Sequence, residues 1–245
     1  MGTKSTVPEI RARFDADVER FSNLDTGQSA TIDAPLAMEL ITEAALRTTH
    51  HGEVLDVGCG AGNYSLKLAR KRFGSNFTLV DLSRPMLDRA VQRVSANTPG
   101  VVTALQGDIR DLDVGIERYD IVMAAAVLHH LRGDDEWRAV FSKLYAALRE
   151  GGSIWISDLI AHSDYCVQGL MWERYGEYLA NLKDAAYRDH VFEYVEREDT
   201  PRSLMFQLDL LRAVGFVNVD VLHKNSVFAA FGAHKGEKVY AADHR

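Results

Sequence analysis

The stretch Val54-Leu55-Asp56-Val57-Gly58-Cys59-Gly60-Ala61-Gly62-Asn63 decides the fold. A short apolar run gives way to glycines at alternate positions, and helical periodicity resumes at Tyr64. A strand that turns this sharply into a helix needs residues free to take positive φ, and a backbone without Cβ where a ligand approaches. The dinucleotide pattern G-x-G-x-x-G is not met. Counted from Gly58 its third glycine falls on Asn63, and counted from Gly60 it falls on Ser65. The spacing is D-x-G-x-G-x-G. A pyrophosphate seeks helix N–H groups; Asp56 before the turn instead suits a ligand carrying an ammonium, to which glycine carbonyls can also accept. Taken alone, the turn is weak evidence, since a tight strand–helix connection with no ligand is the other reading.

The same alternation continues outward. Phe77–Val80, Val101–Leu105, Ile121–Ala124 and Ile154–Ser157 are short apolar runs, separated by helical stretches at Tyr64–Arg72, Pro85–Val94 and Asp134–Leu148. Glu150-Gly151-Gly152 stops the last of these helices. Strands that are apolar on both faces and alternate with helices form a parallel sheet covered on both sides. Residues 159–202 hold no strand run but are rich in aromatics (Tyr165, Trp172, Tyr175, Tyr178, Tyr187, Phe192, Tyr194) and read as an inserted helical cap. A helix at Ser203–Val214 ends on Gly215. Val217–Leu222 and Val227–Gly232, joined by Lys224-Asn225-Ser226, read as an antiparallel hairpin. Ile10–Phe21 and Leu36–Leu46 are helical and precede the first strand, where they can wall the mouth of the fold. The expected organisation is therefore 1–48 as N-terminal helices or lid, 49–158 with 203–235 as the ligand-binding core, 159–202 as the cap and 236–245 as a polar tail.

Composition narrows the partners. The chain has 245 residues, 35 Asp and Glu against 28 Lys and Arg, and a net charge of −7, which argues against a nucleic-acid phosphate backbone as main partner. No apolar run approaches the ~18 residues of a membrane span, and no leader pattern opens the chain. Met1-Gly2-Thr3-Lys4-Ser5-Thr6 fits the loose myristoylation pattern, but one acyl chain without a second signal anchors only marginally. Cys59 and Cys166 follow no metal-ligand spacing, so the sequence assigns no metal and points to a reducing, cytoplasmic compartment. A homo-oligomer is compatible with the sequence but not specified by it.

Three acids stand at the ends of successive strands: Asp56, Asp81 and Asp108. Asp81 lies about 20 residues past the glycine turn, where a carboxylate takes ribose hydroxyls, and open α/β sheets bind ligands along this edge. On these residues the sequence resembles the class I S-adenosylmethionine-dependent methyltransferases, over roughly residues 50–160 and more loosely over the hairpin. Asp56-Val57-Gly58-Cys59-Gly60-Ala61-Gly62 resembles the family's first motif. Asp81 is similar to its ribose acid, with Leu82 and Met86 beside adenine, and Asp108-Ile109 to its adenine-edge pair. Tyr119–Leu131, including Ala124, resembles the fourth-strand motif, and Leu148-Arg149-Glu150-Gly151-Gly152 the turn before strand five. The resemblance implies a doubly wound, Rossmann-like, mostly parallel sheet of seven strands closed by an antiparallel hairpin. It implies S-adenosylmethionine as cofactor and S-adenosylhomocysteine as product.

Methyl transfer then needs an acceptor nucleophile, from O, N or C of a small molecule, and in some cases a base. His129 and His130 follow the fourth strand and are the candidate bases, His129 first; either could instead cap or pack. Asp158 either orients the substrate or caps the next segment. Trp172, Tyr175 and Tyr178 share one helical face as a substrate wall, although packing of the cap accounts for each singly, and Phe14 and Phe21 could meet the cap over the cofactor. The N-terminal helices, aromatic insertion and hairpin are also similar to the carboxy-S-adenosylmethionine synthases of wobble-uridine modification. Those enzymes need a basic residue for the extra carboxylate, for which Arg174, Arg197 and Arg202 are candidates. A nicotinamide-dependent oxidoreductase would share the strand-end acids, although the third glycine of its fingerprint is missing. A non-catalytic nucleoside-binding protein would keep the same motifs without a base.

Overall fold

The computed structural model describes residues 4–23, 27–49 and 52–236, so the 237–245 tail and the start of the Met1–Thr6 motif lie outside the described residues. Strands β1 (Glu53–Val57), β2 (Asn76–Asp81), β3 (Val102–Gln106), β4 (Tyr119–Ala125), β5 (Leu148–Leu159), β6 (Phe216–Asn225) and β7 (Phe228–Lys235) form one seven-stranded sheet in the order β3-β2-β1-β4-β5-β7-β6. β1 to β5 pair in parallel, and β7 runs antiparallel to both β5 and β6. The strand order reverses between β1 and β4, the crevice where doubly wound sheets bind ligands.

Side-chain alternation along the central strands explains the layers. Leu55, Val57, Val122 and Ala124 face helices α6 (Asp134–Ala147) and α9 (Leu204–Val214), which contribute Trp137, Phe141 and Leu211. Val54, Ile121 and Met123 face α3 (Ala34–Thr48), α4 (Asn63–Lys71) and α5 (Arg84–Ser95). Ser83 caps α5 by accepting from the Met86 amide, and Gly215 ends α9 at φ 112°.

Three local expectations are corrected. The predicted helix Ile10–Phe21 is two helices, α1 (Val7–Ala16) and α2 (Val18–Ser22), broken at Asp17 where ψ opens to 15°. The long helix stops at Ala147, ahead of the glycines, because Leu148 already pairs with Tyr119 in the sheet. Lys224 and Asn225 stay in β6, paired with Ala229 and Phe228, so the hairpin turn is Ser226-Val227 with Ser226 at φ 48°.

The segment after β5 holds α7 (Tyr165–Leu182) and α8 (Ala185–Glu198). Tyr175, Leu179, Val191 and Val195 form a separate apolar cluster with Ile32, Leu159 and Val227, which seats this pair of helices on the carboxyl edge of the sheet. Among the described residues no helix is long and apolar enough to cross a membrane.

Candidate active site

A cavity opens at the carboxyl ends of β1, β2, β4 and β5, between the sheet and the wall made by α1, α2, α7 and α8. The glycine turn forms its floor. Gly58 sits at φ 66°, and a Cβ there would stand 2.4 Å from Val127 Cγ2. Gly60 sits at φ 51°, and a Cβ there would meet nothing within 4 Å, so its bare backbone borders open space. Gly62 starts α4 at φ 79°, packed against Ala90 on α5 at 3.0 Å, and does not line the cavity. Ala124 is likewise outside, paired between Val57 and Ile156 within the sheet; the lining begins at Ala125. Asn63, where the dinucleotide pattern wants glycine, donates to the Phe21 carbonyl at 3.0 Å and accepts from Arg93 at 2.8 Å. It ties the glycine turn to the N-terminal helices.

The strand-end acids are brought together as expected. Asp81 accepts from the amides of Gly60 and Ser83, both at 2.8 Å, and burial raises its pKa. Asp56 accepts from Ser65 Oγ at 2.6 Å; burial pushes it up to about 7, helped by the nearby Asp81 charge. Leu82, Met86, Ile109 and Cys59 also line the cavity, and burial pushes the Cys59 thiol well above its ordinary range. Asp108 lines it too, but its carboxylate is clasped by Arg110 through Nε at 3.0 Å and Nη2 at 2.6 Å. Burial alone would raise Asp108; the guanidinium wins and holds it below the usual range. These groups fit S-adenosylmethionine. An open glycine backbone, a buried carboxylate at the end of β2 and a second buried acid at the end of β1 offer the donor and acceptor chemistry that its nucleoside and amino-acid ends require.

At the other end stand the histidines, on a 3-10 turn, Leu128–His130, that follows β4 through Ala126 at φ 52°. A non-glycine residue in that region is strained, and strain of this kind gathers at functional sites. Asp158, at the end of β5, accepts from the amides of Leu128 at 2.8 Å, His129 at 3.2 Å and Leu159 at 2.8 Å, and also bonds Nδ1 of the His129 ring. Its carboxylate is thus spent on holding the turn and the imidazole. Nε2 of His129 faces Asp199 Oδ1 at 3.6 Å, and His130 Nδ1 lies 3.2 Å from the same oxygen. Burial pushes His129 down, but the carboxylates of Asp158 and Asp199 outweigh it and raise it to about 9. Asp199 itself is held low by the two imidazoles in spite of its burial.

The wall is only partly the one expected. Phe14 and Phe21 line the cavity with centroids 5.5 Å apart, and Phe14 meets His130 edge-on at 6.1 Å. Tyr175 lines it, and its hydroxyl donates to the Ala30 carbonyl at 2.9 Å. Trp172 and Tyr178 do not. Trp172 packs on Phe192 at 5.0 Å inside the cap, and Tyr178 donates to the Ser29 carbonyl at 2.8 Å. A shared helical face does not distinguish the rim of a cavity from the seam between two helices. Sequence reasoning missed Asp199 and Arg13 and named Tyr194 only as one of the cap aromatics; all three line the cavity. No motif surrounds them, and only the packing of α8 on α1 brings them in. Arg13 is gripped by Glu198 through Nε at 2.9 Å and Nη2 at 2.6 Å, which straps α1 to the end of α8.

A methyltransferase-domain family model matches residues 54–152. The carboxy-S-adenosyl-L-methionine synthase of Wolinella succinogenes is 28% identical over 241 residues, covering 94% of this chain and 96% of that one. Its counterpart from Chromohalobacter salexigens is 30% identical over 203 residues, covering 80% and 72%. Among solved structures, the Burkholderia thailandensis 1,6-didemethyltoxoflavin-N1-methyltransferase with bound 1,6-didemethyltoxoflavin and S-adenosylhomocysteine superimposes with a TM-score of 0.62 at 19% identity, covering 97% of this chain and 93% of that one. Sheet order, glycine turn, strand-end acids and these relatives agree: the chain belongs to the class I S-adenosylmethionine-dependent methyltransferase family.

Proposed function

We propose that this enzyme transfers the methyl group of S-adenosylmethionine to an O, N or C nucleophile of a small molecule enclosed under α7 and α8. The observation that carries the reading is the continuity of one cavity from Gly60 and Asp81 to His129 and Tyr175. Bound S-adenosylmethionine supplies an electrophilic methyl on a sulfonium. Asp81, Leu82 and Met86, with Asp108 and Ile109, would hold its nucleoside end, and Asp56 with the glycine turn its amino-acid end. Transfer is an in-line displacement, so the chain's main contribution is orientation and exclusion of water. Phe14, Phe21 and Tyr175 exclude water on the acceptor side, and the His129–His130 corner is the polar spot against which an acceptor orients. The 1,6-didemethyltoxoflavin bound in the Burkholderia thailandensis structural relative supports a small-molecule acceptor. Cys59 and Cys166 are both free, and we place the protein in the reducing cytoplasm.

The kinship with carboxy-S-adenosylmethionine synthases raises a second reading, and the arginines argue against it. Arg174, Arg197 and Arg202 all lie outside the cavity; Arg174 is exposed and Arg202 pairs with Asp134. The arginines that do line it are engaged: Arg13 by Glu198, Arg20 by Asp17, Arg110 by Asp108 and Glu136. Thermal shifts with S-adenosylmethionine, S-adenosylhomocysteine and NAD test the cofactor, and release of S-adenosylhomocysteine across small-molecule and tRNA panels tests the acceptor. We expect stabilisation by both adenosyl compounds and turnover with a small molecule alone. Stabilisation by NAD alone, no stabilisation at all, or a cofactor that gains the mass of a carboxylate would each replace this reading.

A further inference from the structure

The acceptor end of the cavity holds more ligating chemistry than a single proton acceptor requires. One donor atom from each of His129, His130 and Asp199 lies within 4.8 Å of the other two. Bonds of about 2.0–2.1 Å around a tetrahedral ion place donors roughly 3.3 Å apart, and two of the separations here are 3.2 and 3.6 Å. We propose that His129, His130 and Asp199 bind one divalent first-row transition-metal ion, with Asp158 as the carboxylate that orients His129.

Three independent features support the site. Asp158 occupies Nδ1 of His129 and so leaves Nε2 as its ligand atom, the carboxylate–histidine–metal arrangement that fixes tautomer and ring direction in metal centres. Asp199 is 4% exposed; its Oδ1 and His130 Nδ1 face each other at 3.2 Å without hydrogen-bond alignment, and His130 Nε2 is buried with no hydrogen-bond partner. Buried polar atoms in that state carry a free-energy cost that a cation removes. The backbone is also locked from both sides: the Thr200 amide donates to the His129 carbonyl at 2.7 Å, and Arg132 binds Thr200 Oγ1 at 2.9 Å and the Glu198 carbonyl. The 3-10 turn and the segment after α8, which carry the donors, are thus tied to each other by hydrogen bonds.

Two imidazoles and one carboxylate leave coordination positions open, and all three residues line the cavity. An acceptor oxygen reaching those positions becomes a nucleophile at neutral pH because the metal lowers the pKa of a bound hydroxyl. Its O–H bond breaks and the proton leaves to solvent. The O–CH3 bond forms as the S–CH3 bond breaks, and sulfur keeps that electron pair as S-adenosylhomocysteine. This selects an oxygen acceptor, a hydroxyl alone or beside a second oxygen donor. That selection rests on the methyl-transfer reading; metal binding does not.

The test uses full-length protein treated with chelator, then titrated separately with Zn2+ by calorimetry and Co2+ by absorption. Binding of S-adenosylhomocysteine, read as a thermal shift, is followed in parallel. We expect one metal per chain, a visible Co2+ band from nitrogen ligation, and affinity at least about 10-fold weaker in His130→Ala and Asp199→Ala; Asp158→Asn should weaken it roughly 10–100-fold. Each variant should keep its shift with S-adenosylhomocysteine, which shows that it is folded. Wild-type protein that binds S-adenosylhomocysteine but takes up neither metal stoichiometrically overturns the site. So do His130→Ala and Asp199→Ala variants that bind as tightly as wild type. Stoichiometric metal binding without any response to S-adenosylhomocysteine would instead sink the methyl-transfer reading and leave the metal site standing.

Discussion

Asp158 holds His129 by two handles, the ring nitrogen Nδ1 and the backbone amide, with opposite oxygens of one carboxylate. The imidazole can neither rotate nor slide along the cavity wall while both bonds stand. Asp158→Asn keeps the size but loses the charge and one acceptor. Turnover should fall about 10–100-fold, while the thermal shift with S-adenosylhomocysteine stays as in wild type. Steady-state rates with the acceptor found by the release screen check this; a loss confined to cofactor affinity would contradict it.

Gly58 and Gly60 share a positive φ but serve different needs. Gly58→Ala drives a methyl to 2.4 Å from Val127 Cγ2 and should destabilise the fold by about 2 kcal/mol or more. Gly60→Ala meets no protein atom, so its stability cost should stay near the ~1–2 kcal/mol of the left-handed backbone. Its methyl enters the cavity where we propose the cofactor binds, and affinity for S-adenosylhomocysteine should drop at least about 10-fold, the effect of ~1.4 kcal/mol. Denaturant melts and calorimetry separate the two outcomes.

Asp56 makes the protein without cofactor sensitive to pH. Its ordinary value is 3.8 and burial raises it to about 7. Between those values the folded chain holds a proton that the unfolded chain has lost, so this contribution to stability is full below the lower value and fades as pH rises through the upper one. Asp56→Asn should flatten that part of the stability profile. The ammonium of S-adenosylhomocysteine favours the ionised form, so binding near pH 6 should release a proton. Calorimetry in buffers of different ionisation enthalpy reads that proton directly.

The Arg13–Glu198 pair fastens α1 over the cavity, with the Glu198 side chain 3% exposed. Glu198→Gln leaves the Arg13 charge poorly matched and should cost about 2–3 kcal/mol, below the value of a wholly buried pair because Arg13 is partly exposed. Limited proteolysis should then cut first within residues 7–22, and S-adenosylhomocysteine should protect that segment in wild type more than in the variant. Equal cleavage with and without the ligand in wild type would argue against closure by Phe14 and Phe21.

The sheet was legible because its signals are local. Apolar runs, the alternate glycines and Asp56, Asp81 and Asp108 all obey a spacing fixed by strand and turn geometry. The opposite end of the cavity was legible in part: His129 and His130 follow a strand, Asp158 ends one, and Phe14, Phe21 and Tyr175 were expected there as aromatics and do line it. Asp199 and Arg13 reach the cavity through the docking of α8 on α1, a tertiary event that leaves no periodic trace. Trp172 shows the opposite error: it shares a helical face with Tyr175, but that face splits between the cavity rim and the packing seam with α8. Asp17 and Ser226 shifted element ends by a few residues, where one backbone dihedral decides against propensity.

The Tyr175 and Tyr178 hydroxyls grip the 27–33 segment by its carbonyls at Ala30 and Ser29. Such a grip is blind to the side chains it holds. Gln28 and Thr31, which face the cavity from that segment, can therefore change without loosening the enclosure. The wall is a fixed frame with exchangeable panels; under the proposed function, acceptor preference can be redesigned there while the cofactor end stays untouched.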